Sequence, residues 1–191
     1  MKKIILASNS PRRRELLKGL DIEFSVDVEN NFVESTDPST EPHQVPVLMS
    51  VGKSHGFHRE LEEDEVLITA DTIVIIDESG HRVLGKPHSR DEAVSMLKSL
   101  SGRTHEVVTA VTIRDNSHEE TFSDSTFVTF ESLNDDEISY YIDRYRPFDK
   151  AGAYGVQEWI GYVAISKLEG SFYNVMGFPV HRVYRELKKF L

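Results

Sequence analysis

The chain reads as a mixed α/β protein, a twisted sheet with flanking helices, and three features point there. Short apolar β-branched runs alternate with stretches of helical periodicity. Several helical stretches open on recognisable caps. Turn-forming residues also join neighbouring runs as hairpins, so the sheet is expected to mix parallel and antiparallel pairs rather than be purely parallel.

The elements follow in order. Residues 4–7 are an apolar run read as a buried strand. Ser10 and Pro11 then supply an N-cap and a first helical residue for a helix ending near Gly19. Residues 22–28 alternate as a strand does, and 30–42 form a polar loop carrying Glu34. Val45, Leu48, Met49 and Gly52 recur at helical spacing, which predicts a helix through about Leu61 with Lys53 on it. Residues 66–70 and 73–76 are apolar runs interrupted by Asp71 and Thr72. A hairpin turn at Glu78, Ser79 and Gly80 returns the chain through Val83 and Leu84 to Gly85-Lys86-Pro87.

Ser89 with Glu92 reads as a capping box, followed by one apolar face of Ala93, Met96, Leu97 and Leu100. Strands over 107–113 and 121–130 flank a turn at Asn116-Ser117. Asn134 with Glu137 opens a further helix that uses Ile138, Tyr141 and Ile142. Residues 160–168 read as a strand, and a last helix from Pro179 is expected to bury Val180, Val183, Tyr184 and Leu187.

Composition narrows the function. The chain has 191 residues, 39% of them hydrophobic and 28% charged, with no low-complexity stretch, which fits one globular domain over 1–191. Its net charge of −10 disfavours nonspecific binding to nucleic acid or to an anionic membrane. Cys 0 removes disulfides, thiol nucleophiles and cysteine zinc sites, and suits the cytoplasm. The four-residue apolar run near the N-terminus is too short for a secretory signal, and no run approaches the roughly 20 apolar residues of a membrane span.

Two places concentrate chemistry. At Ser8 to Leu17, a strand, a polar turn and a helix start bring two serines, free amides and Arg12, Arg13 and Arg14 together, as a polyanion such as a phosphate chain requires. An ordinary capped helix with solvated arginines is the alternative, but arginine at a helix start opposes the dipole. At Asp71, an acid between apolar runs is costly to bury unless paired, hydrogen-bonded or on a metal. Asp149-Lys150 precedes Ala151-Gly152-Ala153-Tyr154-Gly155, whose small residues permit close approach of a ligand or simply make a tight turn.

Other signals fail. Gly52-Lys53-Ser54 ends like a phosphate-binding loop, but the first glycine that loop needs is Val47. The 8 histidines, His43, His55, His58 and His105 among them, lack zinc-site spacing and are expected mostly at the surface. Neither GxSxG nor a strand-following GxGxxG is present.

Taken together, the motifs resemble the Maf family of nucleoside triphosphate pyrophosphatases, related in fold to the inosine triphosphate pyrophosphatases. The likeness runs nearly end to end. It is carried by SNSPRRRELL (8–17), Glu34, Lys53, Ala70-Asp71-Thr72, Gly85-Lys86-Pro87, SGRTHEVVTA (101–110), DKAGAYGVQ (149–157), GSFYNV (170–175) and Gly177-Phe178-Pro179. Val33, where the family is often acidic, and Ser54, where alanine is common, depart from the pattern.

The resemblance implies two lobes around a central cleft, a divalent metal (Mg²⁺ or Mn²⁺), a homodimer, and hydrolysis of a nucleoside triphosphate to monophosphate and pyrophosphate. The Ala70-Asp71-Thr72 and DKAGAYGVQ motifs look like the branch acting on dTTP and UTP, which implies specificity roles for Arg12, Thr72 and Gln157. A carboxamide offers one donor and one acceptor, which matches the N3–H and O4 edge of uracil or thymine, although adenine's edge can be matched too. Asp71 is the implied general base or metal holder and Glu34 a metal ligand. Ser8, Arg12, Arg13, Lys53, Lys86 and Lys150 are implied on the substrate. A nucleotide-binding regulator of septum formation, without turnover, is the competing reading.

Overall fold

The computed structural model describes residues 2–77 and 81–191. The expected hairpin turn at Glu78, Ser79 and Gly80 lies outside them. Strand β1 (Lys3–Leu6) leads through the polar turn to α1 (Pro11–Lys18), then to β2 (Phe24–Val26), α2 (Gln44–His55), β3 (Glu65–Ile76) and β4 (Arg82–Leu84). After these come α3 (Arg90–Leu100), β5 (Thr104–Arg114), β6 (Glu119–Phe130), α4 (Asp135–Tyr145) and a 3-10 turn (Ala151–Ala153). The chain closes with α5 (Trp159–Ala164), β7 (Ile165–Glu169), α6 (Phe172–Val175) and α7 (Val180–Leu187).

The strands form a seven-stranded sheet in the order β2-β1-β3-β5-β6-β7, with β4 beside β3. It is mixed, as the alternation of helices and hairpins predicts: β1 is parallel to β2 and β3, whereas β3–β4 and β6–β7 are antiparallel. Among the described residues, no helix is long and apolar enough to cross a membrane.

The chain divides into two compact units. One comprises 1–71, 109–124 and 177–191; the other comprises 72–108 and 125–176. In the first, Ile5, Phe57, Leu61 and Leu67 pack as one cluster. In the second, the buried face of α3 (Ala93, Met96, Leu97, Leu100) packs on α4, whose Ile138, Tyr141 and Ile142 are also buried. Each fully buried side chain of the Leu, Ile or Phe size contributes roughly 1.5–3 kcal/mol.

Local sequence explains the helix starts. Ser10 caps α1 by accepting from the Arg13 amide, and Asn134 with Glu137 completes a capping box on α4. At α3 the expected box is half formed. Ser89 accepts from the Glu92 amide at 3.1 Å, but the Glu92 carboxylate takes the His88 amide at 2.7 Å instead of reaching back to Ser89.

Other expectations are corrected. The strand expected over 22–28 is ordered as a strand only at Phe24–Val26. Helix α2 stops at His55, with Gly56 as its C-cap; Phe57 and Leu61 enter the core without being helical. Strand β3 runs unbroken through Asp71 and Thr72. Residues 160–164 of the run read as a strand belong to the helix Trp159–Ala164, and only Ile165–Glu169 is strand. On α7, Val183 and Leu187 are buried but Tyr184 is exposed. His105, grouped with surface histidines, is 2% exposed.

Candidate active site

In the first unit the polar turn is built from its own side chains. Ser8 is buried, and its hydroxyl accepts from the Ser10 amide at 3.2 Å and from Arg13 Nη1 at 3.3 Å. Arg14 donates to the Ser8 carbonyl from Nε and Nη2, at 3.3 and 3.2 Å. Arg13 donates to the Ala70 carbonyl at 2.9 Å and to the Gly177 carbonyl at 2.8 Å, so its guanidinium ties the start of α1 to the residue preceding Asp71. Burial lowers the Arg13 pKa to about 10, with Asp71 opposing the shift, and the group remains cationic at neutral pH. Arg12, half-buried, lies next to it on the first turn of α1.

Asp71 is presented by β3 and answered by α2. Alternate residues of a strand share a face, and Thr69 and Asp71 both meet α2. Thr69 Oγ1 donates to the Ser50 carbonyl at 2.7 Å, and Lys53 Nζ lies 2.7 Å from Asp71 Oδ1. The same ammonium lies 2.9 Å from Glu34 Oε1. Lys53 and Asp71 are mostly shielded, with side-chain exposures of 19% and 18%, whereas Glu34 is 61% exposed on its loop.

The loop carrying Glu34 is stitched to the end of α2. Asn30 Nδ2 donates to the Lys53 carbonyl at 2.6 Å, and Asn30 Oδ1 accepts the Phe32 amide at 2.8 Å. The Asn31 amide donates to the Gly56 carbonyl at 2.7 Å. Arg114 covers the same helix end by donating to the Ser54 carbonyl at 2.8 Å. Of the residues expected at the site, Ser8, Arg12, Arg13, Glu34, Lys53 and Asp71 thus belong to one unit, and the last three share a single ion cluster.

In the second unit, Thr72 follows Asp71 on β3 with its side chain on the opposite face, the face of Val74. Gly152 sits against that face. It takes a left-handed φ of 69°, and an added Cβ would lie 2.9 Å from Val74 Cγ2. The Gly152 amide donates to the Gly85 carbonyl at 3.0 Å, which brings 149–157 beside Gly85-Lys86-Pro87. Lys86 is exposed there. Lys150 is buried, 2.8 Å from Asp149 Oδ1 and 3.1 Å from Glu158 Oε1. Gln157 is half-buried, and its Oε1 is buried with no hydrogen-bond partner among the described residues.

Sequence reasoning missed Tyr141 and Glu158. The Tyr141 hydroxyl donates to Glu158 Oε2 and accepts the Gly155 amide at 3.0 Å. Tyr141 looked like any other apolar position of α4, and nothing in the spacing joins it to a residue 17 positions on. Asn174, in GSFYNV, is also fully buried. Its Nδ2 donates to the Val107 carbonyl at 3.1 Å and to Thr126 Oγ1 at 3.0 Å, a structural clasp for α6.

Known proteins match nearly the whole chain. A protein of Porphyromonas gingivalis called dTTP/UTP pyrophosphatase is 51% identical over 190 residues, 98% of this chain and 94% of its own. Proteins of the same name from Parabacteroides distasonis and Bacteroides thetaiotaomicron are 48% and 46% identical, covering 98% and 97% of this chain and 96% and 95% of theirs. Among solved structures, the Staphylococcus aureus Ham1 protein overlaps 68% of this chain and 72% of its own, at 14% identity and a TM-score of 0.43. The family model described as Maf-like protein matches residues 3–190. With that match and with relatives near half-identical from end to end, the chain belongs to the Maf family.

Proposed function

We propose that the chain hydrolyses UTP and dTTP to the nucleoside monophosphate and pyrophosphate, by attack of water on the α-phosphorus. The observation that carries this reading is the Asp71–Lys53–Glu34 cluster beside the arginine-bearing turn, in a chain whose relatives bear that activity in their name.

Asp71 is assigned as the general base. Lys53 engages its Oδ1 and fixes the carboxylate, and Oδ2 takes the proton of the attacking water. The water oxygen bonds to the α-phosphorus as the bond from that phosphorus to the bridging oxygen breaks, and pyrophosphate leaves with the electron pair. No covalent intermediate with the protein is needed. Arg12, Arg13, Lys53 and Lys86 are assigned to the charge of the phosphates, and Ser8 to shaping the turn that receives them. Thr72 and Gln157 are assigned to the base.

A divalent cation fits the donor set. Glu34 and Asp71 meet at one ammonium, and among the described residues no group of three or more His, Asp or Glu side chains could cage an ion. Mg²⁺ and Mn²⁺ bind one or two carboxylates together with substrate phosphates, so Glu34 and Asp71 are the residues that would hold such an ion. Such an ion supplies phosphate charge neutralisation and a more acidic water.

The test is product identity. With UTP or dTTP and Mg²⁺ or Mn²⁺, the products should be the monophosphate and pyrophosphate, and chelation by EDTA should stop turnover. Orthophosphate would move the chemistry to the γ-phosphorus. Binding of UTP without any product would favour the regulator. Asp71→Asn should lose at least about 100-fold in kcat, the loss typical of one well-placed transition-state group, with its melting temperature held. Wild-type turnover in that variant would reject Asp71 as the base.

A further inference from the structure

The unexplained feature of the second unit is the chain of bonds around Tyr141. Its side chain is fully buried on α4, and its single hydroxyl donates to Glu158 Oε2 and accepts from the Gly155 amide at 3.0 Å. The other carboxylate oxygen, Glu158 Oε1, lies 3.1 Å from Lys150 Nζ, which also holds Asp149 Oδ1 at 2.8 Å. The Glu158 amide donates to the Gly155 carbonyl at 3.0 Å, which closes a β-turn with Val156 and Gln157 at its central positions. Both ends of the turn that carries Gln157 therefore hang on one phenol oxygen.

Two further observations belong to the same arrangement. An added Cβ at Gly155 would lie 2.9 Å from Glu158 Cδ and 3.0 Å from Lys150 Cε, so both charged side chains pass directly over this glycine. Upstream, Gly152 and Ala153 take successive left-handed conformations, at φ 69° and 59°. For alanine that conformation is strained, and it persists only where neighbours hold it. Burial, reinforced by Glu158, pushes the Tyr141 phenol far above its usual value, so the hydroxyl remains a donor throughout the neutral range.

We infer that Tyr141, Glu158 and Lys150 are positioning residues for Gln157: they fix the turn from which its carboxamide projects, and so limit how it can face the base and which pyrimidine is accepted. The inference rests on the proposed role of Gln157 at the base. Uracil and thymine present the N3–H donor beside the O4 acceptor, whereas cytosine presents an N3 acceptor beside the N4 amino donor. A half-turn about its last bond exchanges the donor and the acceptor of a carboxamide. A freely turning glutamine serves both bases; a held one separates them. Lys150, with two carboxylates on its buried ammonium, acts here through the turn and not as a ligand of the phosphates.

The experiment measures kcat/KM for UTP and for CTP, with Mg²⁺, on Tyr141→Phe, Glu158→Gln, Gln157→Ala and Tyr141→Phe/Gln157→Ala in the full chain. The ratio of two substrates on one preparation does not depend on how much of it is folded. Tyr141→Phe should cut the UTP to CTP ratio by about tenfold, with Glu158→Gln moving it the same way, and Tyr141→Phe should add nothing once Gln157 is alanine. Should Tyr141→Phe fail to yield protein, Glu158→Gln carries the same comparison. Equal losses on both substrates, with the ratio at the wild-type value, would leave Tyr141 a purely structural residue and overturn the inference. If Gln157→Ala collapses the ratio while Tyr141→Phe and Glu158→Gln keep it, the positioning role fails alone. If Gln157→Ala keeps the ratio, the base-reading role falls and this inference with it.

Discussion

His105 shows how much one buried side chain can decide. Its Nε2 lies 2.7 Å from Tyr154 Oη, its ring meets Phe130 and Tyr154 edge-on, and Nδ1 has no hydrogen-bond partner among the described residues. Burial alone drives its pKa from 6.5 to about 3. The folded state therefore keeps the ring neutral, while the unfolded chain takes up a proton as the pH falls below about 6.5. Between those values the unfolded state binds more protons, so stability falls as the pH falls. At pH 5 the loss relative to pH 7 is about 2 kcal/mol, from roughly 1.5 pH units at 1.36 kcal/mol each. Urea unfolding at pH 7 and pH 5 should show this loss in the wild type, and His105→Gln should lack it. Equal pH dependence in the two proteins would remove His105 as the source.

At the scale of elements, helix α2 does two jobs, and Gly52 within it and Gly56 at its C-cap connect them. One face presents Lys53 to Asp71; the other receives Phe32 from the loop that carries Glu34. An added Cβ at Gly52 would run into the Phe32 ring, and one at Gly56 would lie 2.5 Å from Phe32 Cβ and 2.8 Å from its amide nitrogen. Gly52→Ala should gain up to about 1 kcal/mol of helix propensity while displacing Phe32. Glu34, two residues on, is displaced with it. The melting temperature should therefore change little, while, on the proposed role of Glu34 in holding the metal, the Mg²⁺ concentration for half-maximal turnover should rise by about tenfold, the usual effect of disturbing a support of a metal ligand. An unchanged metal requirement would mean that this contact does not place Glu34.

The same scale explains what the sequence disclosed. Helices α1 and α4 were legible because Ser10, Pro11, Asn134 and Glu137 act within one turn of where they stand. Asp71 was legible as an oddity, since a carboxylate among Ile, Val and Ala needs a partner, and Lys53 is that partner. Strand β3 was misread as interrupted because Asp71 and Thr72 break the apolar pattern without breaking the backbone ladder. The run at 160–168 was misread because short apolar β-branched segments have no distinguishing period. There the backbone is helical over Trp159–Ala164, and Gly161 lies in that helix where a Cβ would strike the Val156 carbonyl. The contact of Tyr141 with Glu158 could not be read, since it depends on where α4 and the following turn pack.

At the scale of the molecule, the arginines are local and the acidity is general. Arg12, Arg13 and Arg14 stand on one turn of a chain whose net charge is −10, so a triphosphate bound there, as proposed, would be held by contacts at that turn and not by a long-range field. Chain connectivity carries a second consequence. One unit is assembled from three stretches and the other from two, and three of the four crossings, at 71/72, 108/109 and 124/125, fall inside β3, β5 and β6. A strand holds its place through hydrogen bonds along its length, so melting either unit strips the shared strands of part of their ladder. Unfolding should therefore be one cooperative transition. Trp159, the single tryptophan, belongs to the second unit and meets Tyr140 at a ring distance of 4.9 Å, so its fluorescence follows that unit. Far-UV circular dichroism follows both. Superimposable urea curves from the two probes, with one midpoint, are expected. A fluorescence midpoint displaced from the dichroism midpoint would mean that the units melt separately and that the chain is two domains.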